Sequence, residues 1–276
     1  MKRLLTGLIA LPLLILFIIK ASTFLFTCFV FLLSLLGLGE FYRMALPERR
    51  VEGVIASLLG ACSVFVLTQP EMLQGFVALS NTQVLLVFWL STGFIAFAIR
   101  FLFSVRDIKQ SATEVALLCT GFAYVPLLLS HLVLLRNLPN GVSWIFLMLL
   151  IVMSGDTSAY YVGSSLGKRK LYPIVSPNKS VEGAIGGLCG SVVGTVIAKV
   201  SFFPELTVVD CLATALVMGS LGQVGDLFES LLKRSFGVKD SGTIIPGHGG
   251  ILDRLDSVLF AAPAMYYYAY LVFTAR

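Results

Sequence analysis

The chain has 276 residues, of which 57% are hydrophobic and 13% are charged, and its mean hydropathy is +0.93. This composition excludes an ordinary soluble domain and is typical of proteins with many membrane spans. The formal net charge of +5 does not indicate nucleic-acid binding, because the basic residues do not cluster on one amphipathic face.

The N-terminus has the basic start and apolar run of a secretory signal. No small-x-small cleavage site follows, and a second apolar run begins at once. We therefore predict an uncleaved first span.

Apolar runs of spanning length predict an all-α, polytopic integral membrane protein with about nine transmembrane helices. The approximate spans are 4–19, 22–40, 51–69, 83–103, 114–135, 142–163, 183–203, 207–231 and 254–274. Little polar sequence separates them, so we predict a single membrane domain over 1–276. Within it, 1–140 would form N-terminal spans, and 141–276 would form catalytic spans and cytosolic loops.

The basic residues predict the orientation of these spans. With the N-terminus in the cytosol, 16 of the 20 Lys and Arg residues fall on the cytosolic side, and the other four are Lys20, Arg136, Lys199 and Arg276. Positive charge favours the cytosolic loops of membrane proteins. We therefore expect a protein of the cytoplasmic membrane whose polar loops face the cytosol.

Glycines recur at four-residue spacing in the seventh predicted span, at Gly183 and Gly187 and at Gly186, Gly190 and Gly194. Small residues at this spacing allow two membrane helices to approach closely. The pattern favours tight helix packing over direct ligand contact.

A charged residue lies within the sixth apolar run, at Asp156. Charges at membrane depth are costly and usually have a partner or a function. A role at or beside a substrate is favoured. The alternative is a structural hydrogen-bonding group near Thr157, Ser158 and Tyr160.

The block SPNKSVEGAIGG begins at Ser176 and leads into the seventh span. Pro177 breaks any helix, and Ser180 with Gly183 suits the turn that opens one. Ser176, Asn178, Lys179 and Ser180 would then lie near the positive end of that helix, where anions bind. An ordinary basic loop with a helix cap explains the block equally well.

The most polar stretch is Ser230–Asp256, between the last two spans. Asp253 and Asp256 stand three residues apart and share a helix face, as do Asp226 and Glu229 just upstream. Hard cations such as Mg²⁺ prefer a few carboxylates together with substrate phosphates. If the last two helices lie side by side, Asp226, Asp253 and Asp256 would bind the metal.

A glycine-rich loop, PGHGG, lies between these acidic pairs at 246–250. Its backbone N–H groups could approach phosphate closely. The bases that could neutralise phosphate are Lys233, Arg234, Lys239 and Arg254. The alternative is that they mark the membrane interface and pair with the acids. For His248 we favour hydrogen-bond donation or positioning over proton abstraction, because a lipid phosphate is already anionic.

At these residues the chain resembles the phosphatidate cytidylyltransferases, also called CDP-diacylglycerol synthases. Their signature is present with every spacing intact as Ser230, Lys233-Arg234, Lys239-Asp240, Gly242, Pro246-Gly247-His248-Gly249-Gly250 and Asp253-Arg254-Leu255-Asp256. The upstream family blocks are Asp156 with Ala159-Tyr160, the run Ser176-Pro177-x-Lys179-Ser180-x-Glu182-Gly183, and Gly225-Asp226. A match of this length is specific. It covers the C-terminal half, and Met153 stands where the family has an aromatic residue.

The resemblance implies that CMP passes from CTP to phosphatidate, which gives CDP-diacylglycerol and pyrophosphate for phospholipid biosynthesis. It implies Mg²⁺ on the three aspartates with a second cation nearby, catalytic roles for His248 and Lys233, and a homodimer. The residues it implies for substrate binding are Asp156, Ser176, Asn178, Lys179, Ser180, Glu182, Ser230, Arg234, Lys239, Asp240, Gly249, Gly250 and Arg254. Lipid would enter from the inner leaflet through a gap between helices.

Two other hypotheses remain. A CTP-dependent transferase or kinase acting on an isoprenoid or ether lipid would need the same metal and phosphate groups. A membrane transporter would use intramembrane acids as an ion path. The acids here gather at the cytosolic ends of the last four predicted helices, which disfavours a transporter.

Overall fold

The computed structural model of the chain describes residues 2–73, 82–244 and 249–274. The helices are α1 (Lys2–Lys20), α2 (Thr23–Ala45), α3 (Arg50–Thr68), α4 (Pro70–Leu73), α5 (Thr82–Leu102), α6 (Ile108–Phe122), α7 (Leu128–Arg136), α8 (Gly141–Leu166), α9 (Val181–Ser201), α10 (Val208–Ser235) and α11 (Leu252–Tyr268). Two π-helical turns, Ala123–Leu127 and Ala269–Phe273, follow α6 and α11.

Each of the nine predicted spans coincides with helical structure, so the all-α polytopic class is confirmed. In the described part of the chain, seven segments are long and apolar enough to cross a membrane. One of them runs without a break through α6, the π-helical turn that contains Pro126, and α7. The described apolar part of α1 is only Leu11–Lys20, and α11 has 17 residues. The count of nine is therefore approximate.

The chain divides into two compact units. The N-terminal unit is Ala21–Val133, and the C-terminal unit is Met1–Lys20 together with Leu134–Arg276. The division lies near the predicted boundary at residue 140. The sequence did not predict that α1 would belong to the C-terminal unit. In that unit the Arg136 guanidinium donates a hydrogen bond to the buried Ile18 carbonyl at 3.3 Å.

A buried ion pair holds the N-terminal unit together. Arg49 is 1% exposed, and its guanidinium lies 2.9 Å from the Glu114 carboxylate. The same group donates to the Ser104 carbonyl at 2.7 Å and lies over the Phe101 ring. Breaking such a pair from one side would leave an uncompensated buried charge. The unit also contains a partly open apolar cavity of about 440 Å³, lined by α3, α5 and α6 together with Tyr42 of α2.

Glycines let α8 and α9 pack closely in the C-terminal unit. A Cβ added at Gly183 would lie 2.9 Å from the Ala159 carbonyl oxygen, and one added at Gly190 would lie 2.5 Å from the Ser158 Cβ. Added methyl groups at Gly186, Gly187 and Gly194 would also meet α8. The predicted role of these glycines in helix packing is thus confirmed.

Helices α10 and α11 lie side by side, as the metal hypothesis required. The Tyr268 hydroxyl on α11 donates a 2.6 Å hydrogen bond to the buried carboxylate of Asp210 on α10. Thr207 and Asp210 also form the capping box that starts α10. In the C-terminal half of α10, a Cβ added at Gly225 would clash with the carbonyl oxygen of Asp256 on α11.

A short antiparallel hairpin connects α8 to α9. Its strands are β1 (Lys170–Tyr172) and β2 (Ser176–Ser180), and the sequence did not predict them. Ser180 then caps α9, because its hydroxyl accepts the Gly183 N–H at 3.1 Å. The predicted turn at the start of the seventh span is confirmed.

Candidate active site

Three carboxylates from three helices lie within electrostatic range of one another. Asp156 comes from α8, Asp226 from α10 and Asp256 from α11, and both Asp156 and Asp256 are repelled by Asp226. Asp256 is also repelled by Asp156. Carboxylates held together in this way favour the binding of a cation. We refer to Asp156, Asp226 and Asp256 as the acidic cluster.

Glycines explain how two of these acids come to this position. Gly155 faces α9, where an added Cβ would lie 2.7 Å from the Ser191 hydroxyl and 3.4 Å from the Gly187 carbonyl oxygen. Gly225 faces α11 in the same manner. Since successive residues turn by about 100° around a helix, the aspartate that follows each glycine is directed away from the tightest packing contact.

A lysine lies against the acidic cluster. The Lys179 ammonium is 2.7 Å from the Asp226 carboxylate, and both side chains are about one third exposed or less, at 27% and 32%. Lys179 also attracts Asp156 electrostatically. Because Lys179 belongs to β2, the hairpin brings a cation to acids that three helices supply.

Asp253 lies near the cluster in sequence but has other partners. One of its carboxylate oxygens accepts a hydrogen bond from Lys233 at 2.6 Å. The other accepts the Ser241 N–H and hydroxyl at 3.0 Å each and the Gly250 N–H at 2.8 Å. The Asp253 N–H in turn donates to the Ser241 hydroxyl at 3.3 Å. Asp253 therefore joins α10, the loop after it and the start of α11.

Lys233 links Asp253 to a buried acid. Its ammonium is 2.6 Å from both Asp253 and Glu229, and the Glu229 side chain is 1% exposed. One ammonium between two carboxylates balances one of the two negative charges. Both Asp253 and Asp256 also repel Glu229. Lys233 is thus the shared partner of Glu229 and Asp253.

The glycine-rich loop is described only at its end. Gly249 has a φ of +83°, and a Cβ there would lie 2.7 Å from the Asp253 carboxylate. A left-handed backbone and a close carboxylate both require glycine at this position. The catalytic prediction for His248 lies outside the described residues, as do Pro246 and Gly247.

The remaining predicted residues have different surroundings. Glu182 accepts the backbone N–H groups of Lys168 and Arg169 at 3.1 to 3.3 Å, so it secures the turn after α8. Arg234 donates to the Val238 carbonyl at 3.2 Å. Ser176 and Ser230 are half-buried, and the exposed residues are Asn178, Lys239, Asp240 and Arg254.

Sequence reasoning missed one contact in this region. Ser241 supplies two hydrogen bonds to Asp253, although it occupies an unremarkable position in the loop. The substrate-binding role of Glu182 stays a prediction, and in the structure its carboxylate accepts the backbone N–H groups of Lys168 and Arg169. The sequence Lys-Asp-Ser at 239–241 gives no local signal for the hydrogen bonds from Ser241 to Asp253, because Asp253 lies twelve residues away.

The donor set fits an open metal site and not a closed one. Among the described residues, no three His, Cys, Asp or Glu side chains are close enough together to hold a metal ion by themselves. Mg²⁺ commonly binds one or two carboxylates, keeps several waters and takes further oxygens from substrate phosphates. Asp226 and Asp256, on adjacent helices, supply such a partial set.

A family model described as the cytidylyltransferase family matches residues 1–272. A phosphatidate cytidylyltransferase of Bacillus subtilis strain 168 is 35% identical over 274 residues, which cover 96% of each protein. Phosphatidate cytidylyltransferases of Staphylococcus haemolyticus and Staphylococcus aureus strain COL are each 34% identical, over 95% of this chain and 96% of their own length.

Proposed function

Because this chain belongs to the cytidylyltransferase family, we propose that it is a phosphatidate cytidylyltransferase. It transfers CMP from CTP to phosphatidate and produces CDP-diacylglycerol and pyrophosphate for phospholipid biosynthesis. The observation that carries this assignment is identity of 35% to a relative of that name over nearly the whole of both chains. The acidic cluster, with lysines beside it, supplies groups that this reaction needs.

The reaction is a displacement at phosphorus. A phosphate oxygen of phosphatidate attacks the α-phosphorus of CTP, the bond from that phosphorus to the bridging oxygen breaks, and pyrophosphate leaves with the electron pair. The attacking phosphate is anionic near neutral pH, so no side chain has to remove a proton. Catalysis then consists of positioning and charge neutralisation.

The basic residues would bind the phosphates. Lys179 pairs with Asp226 and Lys233 with Asp253, while Arg234, Lys239 and Arg254 are exposed. Lysine neutralises phosphate as a point charge, and arginine can donate two parallel hydrogen bonds. His248 would act as a hydrogen-bond donor from the glycine-rich loop.

A divalent cation belongs to this proposal, and we assign it as Mg²⁺. Asp226 and Asp256 would hold it, and when bound it would neutralise phosphate charge and orient the triphosphate. Asp156 would add its negative charge to this site and act at or beside the substrate. We assign Asp253 a positioning role, since its oxygens already accept hydrogen bonds from Lys233, Ser241 and Gly250.

The protein would lie in the cytoplasmic membrane with this site at the cytosolic face. The distribution of basic residues supports that orientation, and CTP is available on that side. Phosphatidate would then enter from the inner leaflet. A homodimer follows from the family resemblance alone, and the mass of the protein in detergent or nanodiscs tests it.

The function is tested by the release of pyrophosphate from CTP by the purified protein, with and without phosphatidate. We expect release only with phosphatidate and none after EDTA treatment. Parallel reactions with a prenol and an archaeal ether lipid test the substrate class, and faster turnover of either lipid would replace phosphatidate in the proposal. Solute uptake by proteoliposomes without consumption of CTP would overturn the enzyme assignment in favour of a transporter.

A further inference from the structure

Lys179 contacts Asp226, one of the two aspartates proposed to bind the cation. Its ammonium is 2.7 Å from the Asp226 carboxylate and attracts Asp156, while Asp226 also faces Asp256. Among the described residues, the other lysine that acts on the cluster is Lys233, which already pairs with Glu229 and Asp253. Lys179 is thus the cation that directly neutralises Asp226.

An ammonium and a divalent cation cannot both lie at contact distance from one carboxylate without strong repulsion. A metal that approaches Asp226 must therefore displace Lys179 or bind beside it at a cost. The triphosphate of CTP carries several negative charges and offers the displaced ammonium a new partner. The metal then replaces the Lys179 charge at Asp226, and the triphosphate replaces Asp226 as the partner of Lys179. Both charges are compensated only when metal and nucleotide are both present.

We propose that Lys179 is an exchangeable counter-ion, which neutralises Asp226 in the nucleotide-free protein and transfers to the triphosphate when metal and CTP bind. This inference rests on the proposed function for the identity of the nucleotide. It predicts that metal alone binds weakly and that metal and CTP bind cooperatively, because each removes part of the cost of binding the other.

The surroundings of Lys179 permit such an exchange. The next residue, Ser180, is buried and caps α9, so the backbone at this point is held in place. The Lys179 side chain is 27% exposed and has a flexible four-carbon stem. The movement therefore requires only a change of side-chain rotamer, and the hairpin can stay where it is.

The test measures binding of Mn²⁺, which also takes oxygen ligands, to the full-length protein in nanodiscs of neutral lipid. Electron paramagnetic resonance of free Mn²⁺ gives the affinity without any turnover. Without nucleotide, we expect Lys179→Met to bind Mn²⁺ roughly fivefold more tightly than wild type, which is the magnitude of a partly exposed ion pair. Lys179→Arg, which retains the charge, should stay within about twofold of wild type.

The second arm measures CTP affinity at saturating Mn²⁺. Lys179→Met should bind CTP more weakly, so that the two affinities change in opposite directions and the cooperativity falls. Unchanged or weaker Mn²⁺ binding by Lys179→Met would overturn the exchange, as would an absence of Mn²⁺ binding by both proteins. Thermal unfolding checks that the variants are folded. If the wild type releases no pyrophosphate but Lys179→Met still changes the Mn²⁺ and CTP affinities in opposite directions, the proposed function fails and the counter-ion role stands.

Discussion

Two aspartates that are one helical turn apart have different surroundings. Asp253 accepts hydrogen bonds from Lys233, Ser241 and Gly250. Asp256 instead faces acids from two other helices and accepts a hydrogen bond from the backbone N–H of Ser257. The first carboxylate stabilises the local fold, whereas the second adds negative charge to a cluster. Substitution of each should therefore have a different effect.

We predict that Asp226→Asn and Asp256→Asn each lower turnover by at least about a hundredfold, because each removes charge from the proposed cation site. Thermal stability should be kept, since the repulsion removed from the acidic cluster offsets, at Asp226, the loss of the partly exposed pair with Lys179. Pyrophosphate release and thermal unfolding in detergent measure the two effects. Glu205→Gln, at an exposed position between α9 and α10, is the matched control. Near-normal turnover at limiting Mg²⁺ would remove the substituted residue from the proposed metal site.

For Asp253→Asn we predict a loss of stability together with a loss of turnover. The change weakens the bond from Lys233, and an amide has one oxygen where the carboxylate uses two to accept from Lys233, Ser241 and Gly250. The lost hydrogen bonds should cost about 2 kcal/mol. Thermal unfolding and proteolysis of the segment 236–250 provide the measurements. Asp240→Asn, an exposed change in the same loop, is the control for stability. Full stability with no turnover would instead indicate that Asp253 contacts the metal or substrate directly.

At the scale of helices, the packing of α8 on α9 determines where the acidic cluster can form. Glycines on α9 face small residues and carbonyl groups on α8, which brings the two backbones together. Asp156 lies on α8, and Lys179 lies two residues before α9 begins. A wider separation of α8 and α9 would move both charges relative to Asp226.

We predict that Gly190→Ala destabilises the protein by about 2 kcal/mol, the cost of overpacking a tight contact. The new Cβ would lie 2.5 Å from the Ser158 Cβ and 2.6 Å from the Ser154 carbonyl oxygen. Gly93→Ala makes the same chemical change where no atom lies within 4 Å. A comparison of the two midpoints of thermal unfolding tests the prediction, and equal midpoints would contradict it.

At the scale of the whole molecule, the basic loops predict which side of the membrane each polar segment occupies. Sixteen of the 20 Lys and Arg residues lie in segments assigned to the cytosol. The hairpin between α8 and α9 and the loop between α10 and α11, which carry many of the proposed site residues, are two of these segments. The orientation therefore decides which aqueous compartment supplies the nucleotide.

We expect a cysteine at Asp240 to react with an impermeant maleimide in inside-out vesicles and a cysteine at Glu205 to react in right-side-out cells. Both positions are exposed, so differences in labelling report the side of the membrane. The background must lack the native cysteines, because Cys119 and Cys189 are exposed. Labelling of both positions from the same side would contradict the predicted topology.

Hydropathy and charge order are properties of local sequence, and a bilayer acts on them directly. The positions of the spans, the all-α class and the polar stretch at Ser230–Asp256 could therefore be predicted from the sequence. The spacing of glycines predicted the close packing of α9 for the same reason, since a helix brings every fourth residue to one face.

The partner of each charged group depends on which distant segments meet, and only the tertiary structure decided this. Lys179 meets Asp226 across 47 positions of the chain, and Lys233 meets Asp253 across 20. The equal spacing of the two acidic pairs carried no information about these contacts. Packing of α8, α9, α10 and α11 placed Asp226 and Asp256 in the acidic cluster and turned Asp253 to the loop, because each carboxylate pairs with the groups that the folded chain brings within reach.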